Sequence, residues 1–359
     1  MFGCSSYVSR PRLLLNRPPT SYLRQLHLDP DVAVVSRMQS ASSPLIVAVV
    51  SRLQVLELGF ILTVKKVDGL EVLIWGFRSL LCEKSQHHLL SSTISMVGVA
   101  SFISLLVQKV GGSIKPFTST LLRLLFQVAK EEKSGASKRA FAKSCAFVIK
   151  YAPTPQVHKL IEETAALYNG DRNSQIACAL LLKSYASTAG DIFTGYYATV
   201  VPVIFLSRFE DDKNVSSLYE ELWEENMTSE RVTLQLYVGE IVTMITDGIA
   251  SSSWASKRKA GKAIVKLCEV LEESLFLYHQ VLLTSLMNEI TGRIWEGKED
   301  LLEALSSLCT TCHTAITAAD PSRESAILSV VTSACSKKTK KFRDAGFRCL
   351  ENVESHCWN

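Results

Sequence analysis

The sequence predicts an all-α chain wound as a solenoid of about seven helical hairpins, and three observations predict it. Gly and Pro are scarce, 17 and 10 in 359 residues, which leaves little punctuation for short strands and their turns. Hydrophobic residues make up 47% and charged residues 21%, enough apolar mass for a large core or an extended array and wrong for a collagenous or low-complexity chain. A six-position apolar face also returns at steps of about 41 residues, the period of a stacked repeat.

In chain order, residues 1–43 differ from the rest. Arg10, Arg12, Arg17 and Arg24, several Ser and no acidic residue up to Leu28 give the charge habit of an organelle transit peptide. Pro11, Pro18 and Pro19 interrupt any amphipathic helix there, which favours a leader without fixed structure. The expected organisation is a leader over 1–43 and a repeat solenoid over 44–359.

The first clean copy of the helical face is Val99, Phe102, Ile103, Leu106, Val107 and Val110. Phe117, Thr120, Leu121, Leu124, Leu125 and Val128 follow Pro116, and a looser copy starts at Phe141 with Cys145, Val148 and Ile149. Val157, Leu160, Ile161, Thr164, Ala165 and Tyr168 follow Pro155; the next copies start at Ala177, with Leu180, Leu181 and Tyr185, and at Val215, with Leu218, Tyr219, Leu222 and Trp223. Proline is tolerated in a first turn because its missing N–H has no helical acceptor there, so helices after Pro116 and Pro155 read as first helices of hairpins. The last three copies are the most regular: Ala260, Ala263, Ile264, Leu267, Cys268 and Leu271 become, 41 residues on, Leu301, Ala304, Leu305, Leu308, Cys309 and Cys312. Another 41 residues give Phe342, Ala345, Gly346, Cys349, Leu350 and Val353. The starts at 99, 141, 177, 215, 260, 301 and 342 are separated by 42, 36, 38, 45, 41 and 41 residues, which is the HEAT/armadillo-like range.

Between the copies lie cap and turn strings: Gly111-Gly112-Ser113, Asn169-Gly170-Asp171, Glu210-Asp211-Asp212, Ser251-Ser252-Ser253 and Asp320-Pro321-Ser322. A lone hairpin cannot bury its stripe, so each must stack on the next, with second helices expected on the inner, partner-holding face. The apolar runs Ile94–Val107 and Ile192–Leu206 fall short of the roughly 20 residues a bilayer needs.

Candidate chemistry is sparse. Cys309-Thr310-Thr311-Cys312-His313 has haem-attachment spacing, but both cysteines fall on core positions of the repeated face, where cysteine packs as a small hydrophobe. His87-His88 near Cys82 lacks the paired spacing of a zinc site, and His158, His279 and His356 are isolated. Gly261-Lys262 and Gly297-Lys298 are followed by the wrong residues for a phosphate loop, and Glu162-Glu163, Glu220-Glu221 and Glu224-Glu225 read as solvated faces. No catalytic, cofactor-binding or metal-binding residue is expected. Ten scattered cysteines point to a reducing compartment, and the expected locations are cytoplasm and nucleus. A net charge of +4 is too small to argue for nucleic acid or a membrane surface, so integral membrane association, nucleic acid and a small-molecule substrate are not expected.

One pattern remains. Basic residues recur near the starts of second helices: Lys138-Arg139, Arg172, Lys213, Lys257, Arg258 and Lys259, Lys298, and Lys337, Lys338, Lys340 and Lys341. Stacking would set them along one edge. Either they pair with acids of adjacent repeats, among them Asp171, Asp211, Glu299 and Asp300, or they form a docking strip for an acidic partner, of which Lys257 to Lys341 is the candidate part.

Two strings go beyond periodicity. Trp254-Ala-Ser-Lys257-Arg-Lys-Ala260-Gly-Lys-Ala263-Ile264 and Gly292-Arg293-Ile-Trp295-Glu-Gly297-Lys298-Glu299-Asp-Leu301-Leu302-Glu-Ala304-Leu305 resemble the C-terminal HEAT repeats of the proteasome adapter and scaffold protein family. Ser134 to Tyr151 and the stretch after Arg172 are similar to preceding repeats, and the resemblance covers roughly 70–353. It implies a non-enzymatic scaffold that binds proteasome subunits, core particle and regulatory cap, and supports assembly, stability or localisation. It also implies the C-terminal portion of a much longer protein. It makes Trp254 and Trp295 inter-helix fillers, Gly297 a close-approach or cap position, and Lys298 and Glu299 the start of a helix. The other reading keeps the solenoid and changes its cargo, as in a nuclear-transport or phosphatase scaffold.

Overall fold

The computed structural model describes residues 96–357, with side chains to 355. Contacts divide the chain into 1–94 and 95–359, and the described residues all belong to the second unit. The leader, its boundary after residue 43, and the Cys82 and His87-His88 group lie outside the described residues, as does the side chain of His356.

Helix α1 (Met96–Val110) is followed by six hairpins: α2 (Thr118–Glu131) with α3 (Gly135–Ile149), α4 (Thr154–Ala166) with α5 (Arg172–Thr188), and α6 (Tyr197–Ser207) with α7 (Lys213–Asn226). Then come α8 (Glu230–Ala250) with α9 (Trp254–Leu271), α10 (His279–Thr291) with α11 (Glu299–Ala319), and α12 (Ser322–Cys335) with α13 (Lys340–Cys357). No strand occurs among the described residues. All seven sequence copies that start between Val99 and Phe342 fall on α1 and the six second helices, so α1 takes the place of a second helix in the stack.

Local chemistry sets the boundaries. The side-chain oxygens of Ser134, Asp171, Asp212, Ser229 and Ser253 accept backbone N–H groups at the starts of α3, α5, α7, α8 and α9, satisfying donors the helices leave open. Pro155 sits in the first turn of α4, where it removes no helical bond.

Each first helix packs on its own second helix, and second helices stack on one another from α1 through α3 and α5 to α7 and again from α9 through α11 to α13. Of the eighteen positions in the three regular copies, Leu350 alone is not buried. Burying a Leu or Ile fully contributes about 1.5–3 kcal/mol, while ordering a residue's backbone costs about 1–2 kcal/mol, so a hairpin persists only by sharing its stripe with neighbours. Polar ties recur at the same period: Ser144 Oγ donates to Ala100 O (2.8 Å), Asn173 Nδ2 to Lys130 O (2.9 Å), and Tyr219 Oη to Gln175 O (3.0 Å).

Three features depart from expectation. On α2, Leu121 and Leu125 are buried as read, but Thr118, Leu122, Phe126 and Ala129 complete the face in place of Phe117, Thr120, Leu124 and Val128. The chain enters α2 through a 3₁₀ helix, Gly111–Phe117, whose three-residue turn rotates the register, and α2 packs against both α3 and α5. On α1 the buried residues are Ala100, Ile103, Ser104 and Val107, which also shifts the predicted stripe by about one position. Finally, the helical runs Met96–Glu131 and Gly190–Ser207 are long and apolar enough to cross a membrane by length and composition, contrary to the shorter runs read from sequence. The first is two helices joined by a 3₁₀ segment that starts with Gly111 at φ +57°; in the second, Val200 to Ser207 are buried against neighbouring helices.

One step in the array is different. Helices α7 and α9 do not stack closely; α9 packs on α8, α6 and α11 instead.

Candidate partner-docking edge

The connections between first and second helices carry the basic residues singled out above, and half of these are committed to acceptors within the array. Lys138 is buried, and its ammonium donates to Ala129 O and Lys130 O (both 3.0 Å) and to Asn173 O (3.3 Å). The first two are carbonyls of the last turn of α2, which have no helical donor, so one cation closes α2 and ties it to α5. Burial holds the Lys138 ammonium below its ordinary pKa, against the opposing pull of Asp171 and Glu132. Lys298 repeats the device at the α10–α11 connection: it is fully buried and donates to Gly292 O (2.8 Å) and Arg293 O (2.9 Å), and burial again lowers its pKa.

Others are paired with acids. Arg172 meets Asp212 (2.6 Å), Lys257 meets Glu289, and Lys262 meets Asp211 (2.8 Å). Lys259 pairs with Glu210 and lies 4.9 Å from the Tyr168 ring centre. Arg258 reaches Asp300 with Nε (3.0 Å) and Asp211 with Nη1 (2.9 Å). Of the acids named from sequence, Asp211 and Asp300 serve as acceptors, whereas Asp171 caps α5. Glu210, Asp212 and Glu289 were not foreseen; Glu289 lies 32 residues from Lys257 on the first helix of the next hairpin, off the repeat period.

These contacts converge on the α7–α9 step. Glu210, Asp211 and Asp212 occupy three successive positions and hold Lys259 and Arg258 of α9 on one side and Arg172 of α5 on the other. Ion pairs thus join the two stretches of stacked second helices where apolar stacking is interrupted.

Gly297 explains how Arg258 crosses. Its φ is +93°, and a Cβ there would lie 2.3 Å from Arg258 Cδ, so the position is the close approach expected of it. Trp295 is buried as a filler and donates from Nε1 to Glu289 (2.9 Å). Trp254 is not a filler. It is 55% exposed and stacks on Trp295, with ring centres 6.3 Å apart and planes 15° from parallel. It opens α9, where Trp295 covers one face of its ring and more than half of the residue stays exposed.

Lys337, Lys338, Lys340 and Lys341 stand apart: all four are exposed, and none forms an ion pair among the described residues. Arg139 and Lys213 are exposed as well.

The reactive-looking groups are buried in the core. Cys309 and Cys312 are fully buried on α11, and burial pushes the Cys312 thiol up to about 12. Cys178 and Cys268 are likewise pushed up to about 12, and Cys145 higher still. His313 sits outside this core with Nδ1 3.3 Å from Thr310 O, and His158 faces Glu162 at 3.2 Å. No three metal-ligating side chains gather among the described residues. A cleft of about 400 Å³ between α9, α11 and α13 presents Ser306, Thr310, Thr311, Asn352 and the protonated Cys268 thiol.

A stacked array of helical hairpins with a charged edge is the build of a repeat scaffold, a protein that presents surface. Residues 87–169 match the HEAT-repeat domain of proteasome adapter and scaffold protein ECM29. Over 270 residues the chain is 24% identical to the Homo sapiens proteasome adapter and scaffold protein ECM29, covering 71% of this chain and 14% of that protein. Over 218 residues it is 26% identical to proteasome component ECM29 of Saccharomyces cerevisiae, covering 60% of this chain and 12% of the relative. Among solved structures, an engineered protein aligns at a TM-score of 0.36 and 15% identity, over 80% of this chain and 71% of that one. The chain resembles the proteasome adapter and scaffold protein family and spans about a seventh of the human relative's length.

Proposed function

We propose that this chain is a non-enzymatic scaffold that binds the proteasome, contacting core particle and regulatory cap, and supports the particle's assembly, stability or localisation in cytoplasm and nucleus. The observation that carries the reading is the similarity over 270 residues to a protein named for that adapter role, in a chain whose described residues fold as stacked helical hairpins. The burial of Cys309 and Cys312 in the core and the internal pairing of Lys257, Arg258 and Lys259 agree with a presenting role.

Affinity purification of the tagged full chain at low salt, with the human relative as positive control, tests the proposal. Proteasome subunits should co-purify. Recovery of none while the control succeeds would refute it.

A further inference from the structure

The edge described above holds two kinds of basic residue. Lys138, Arg172, Lys257, Arg258, Lys259, Lys262 and Lys298 have internal acceptors, so they hold the array together. Between α12 and α13 the arrangement is reversed. Four lysines within five residues are exposed without an ion pair among the described residues, although Asp344 lies three and four positions beyond Lys341 and Lys340 on the same helix.

That placement is unfavourable for the protein by itself. Like charges one to four residues apart repel, and Lys340 and Lys341 occupy the first turn of α13, which contains no acidic residue and where the helix end is already positive. The field extends inward, since Lys337 is among the charges that disfavour the ammonium of Lys298. A chain of contacts joins this region to an exposed indole: Lys298 Nζ lies 5.8 Å from the ring centre of Phe342, the residue after Lys341, the Lys298 backbone N–H donates to Trp295 O (3.4 Å), and Trp295 holds the exposed Trp254 ring rigid by stacking. A rigid aromatic anchor next to uncompensated charge is how protein interfaces combine affinity with orientation.

We infer that the α12–α13 connection with Trp254 is a docking surface for an acidic protein segment carrying an apolar residue, the lysines neutralising its carboxylates and the indole covering its side chain. The inference rests on the scaffold reading only in taking the array as a protein-binding surface. It narrows the candidate strip to Lys337, Lys338, Lys340 and Lys341, because Lys257, Arg258, Lys259 and Lys298 are committed to internal contacts.

The test uses the full chain and a fluorescein-labelled glutamate-rich peptide containing one Phe and one Leu, followed by anisotropy. Binding is expected at about 0.1 M ionic strength, where charges act over about 10 Å, and its loss at about 1 M, where they act over about 3 Å. The variant Lys337→Glu/Lys338→Glu/Lys340→Glu/Lys341→Glu should bind at least about tenfold more weakly. Trp254→Ala should weaken binding severalfold and the exposed-site control Lys109→Glu/Lys115→Glu should leave it unchanged. Circular dichroism checks folding, and the corresponding Lys→Gln quadruple variant replaces the Glu variant if that one does not fold. Equal binding by wild type and quadruple variant, or no binding at low salt, overturns the inference. So does tighter binding of duplex DNA or of phosphatidylserine vesicles than of the peptide. Proteasome recovery is scored separately: a chain that binds the peptide through these lysines but recovers no proteasome upholds this surface and refutes the proteasome proposal.

Discussion

Replacing Gly297 by alanine tests how α9 and α11 are joined. At φ +93° an L-residue is strained by about 1–3 kcal/mol. The new Cβ would also lie 2.3 Å from Cδ and 2.5 Å from Nε of Arg258, mid-chain atoms that cannot yield without withdrawing the guanidinium from Asp300 and Asp211. These pairs are partly exposed, so their loss adds only about 0.5–1 kcal/mol each. The sum is about 2–5 kcal/mol, measured by urea denaturation against Gly195→Ala, a position where a Cβ meets nothing within 4 Å. The double variant Gly297→Ala/Arg258→Ala removes the clash and keeps the backbone strain, so it should be less destabilised than the two single changes added together. A Gly297→Ala cost below about 0.5 kcal/mol, or strict additivity with Arg258→Ala, would refute the close-approach account.

Three other outcomes follow from the same geometry. Lys138→Met should lower unfolding free energy by about 1–3 kcal/mol in urea melts, because the carbonyls closing α2 lose their donor. Glu210→Gln should cost at least about 2 kcal/mol more than Asp211→Asn, since Lys259 is nearly enclosed and would be left without its counter-charge, while the Asp211 pairs are solvent-screened; parallel melts of the two variants decide it. Alkaline pH should destabilise the array. Cys178, Cys268 and Cys312 are held near 12 by burial but ionise near 9 when unfolded, so the stability they contribute is complete below pH 9 and declines up to pH 12 by as much as about 1.4 kcal/mol per unit per thiol. Buried Tyr185 and Tyr219 act in the same direction above pH 10, whereas Lys138 and Lys298, lowered from 10.5, act in the opposite one. More groups push toward loss, so urea midpoints should fall from pH 9 through pH 10 to pH 11, and Cys268→Ala should flatten the decline.

What sequence could reveal here follows from what each contact is made of. The register of α9, α11 and α13 was legible because six small or apolar positions, from Ala260 to Val353, repeat on a 3.6-residue period that only a shared helical core requires. The face of α2 was displaced because a 3₁₀ entry carries no apolar signature of its own. Arg258 with Asp211 and Asp300 was within reach, since all three lie at equivalent connections of successive hairpins. Lys138 and Lys298 were not, because their acceptors are carbonyls, which every residue possesses and no string distinguishes. Trp254 was assigned to the interior by its size, though at the start of α9 it has Trp295 on one face of its ring and stays more than half exposed. The weak stacking of α7 on α9 did leave a trace: the 45-residue interval from Val215 to Ala260 is the longest of the six. The extra length lets α8 run from Glu230 to Ala250 and separates two second helices, and the successive acids Glu210, Asp211 and Asp212 occupy the side where apolar contact is missing. A longer interval beside an acidic triplet therefore marks where charge replaces hydrophobic stacking, and only basic residues left over from such internal use remain for a partner.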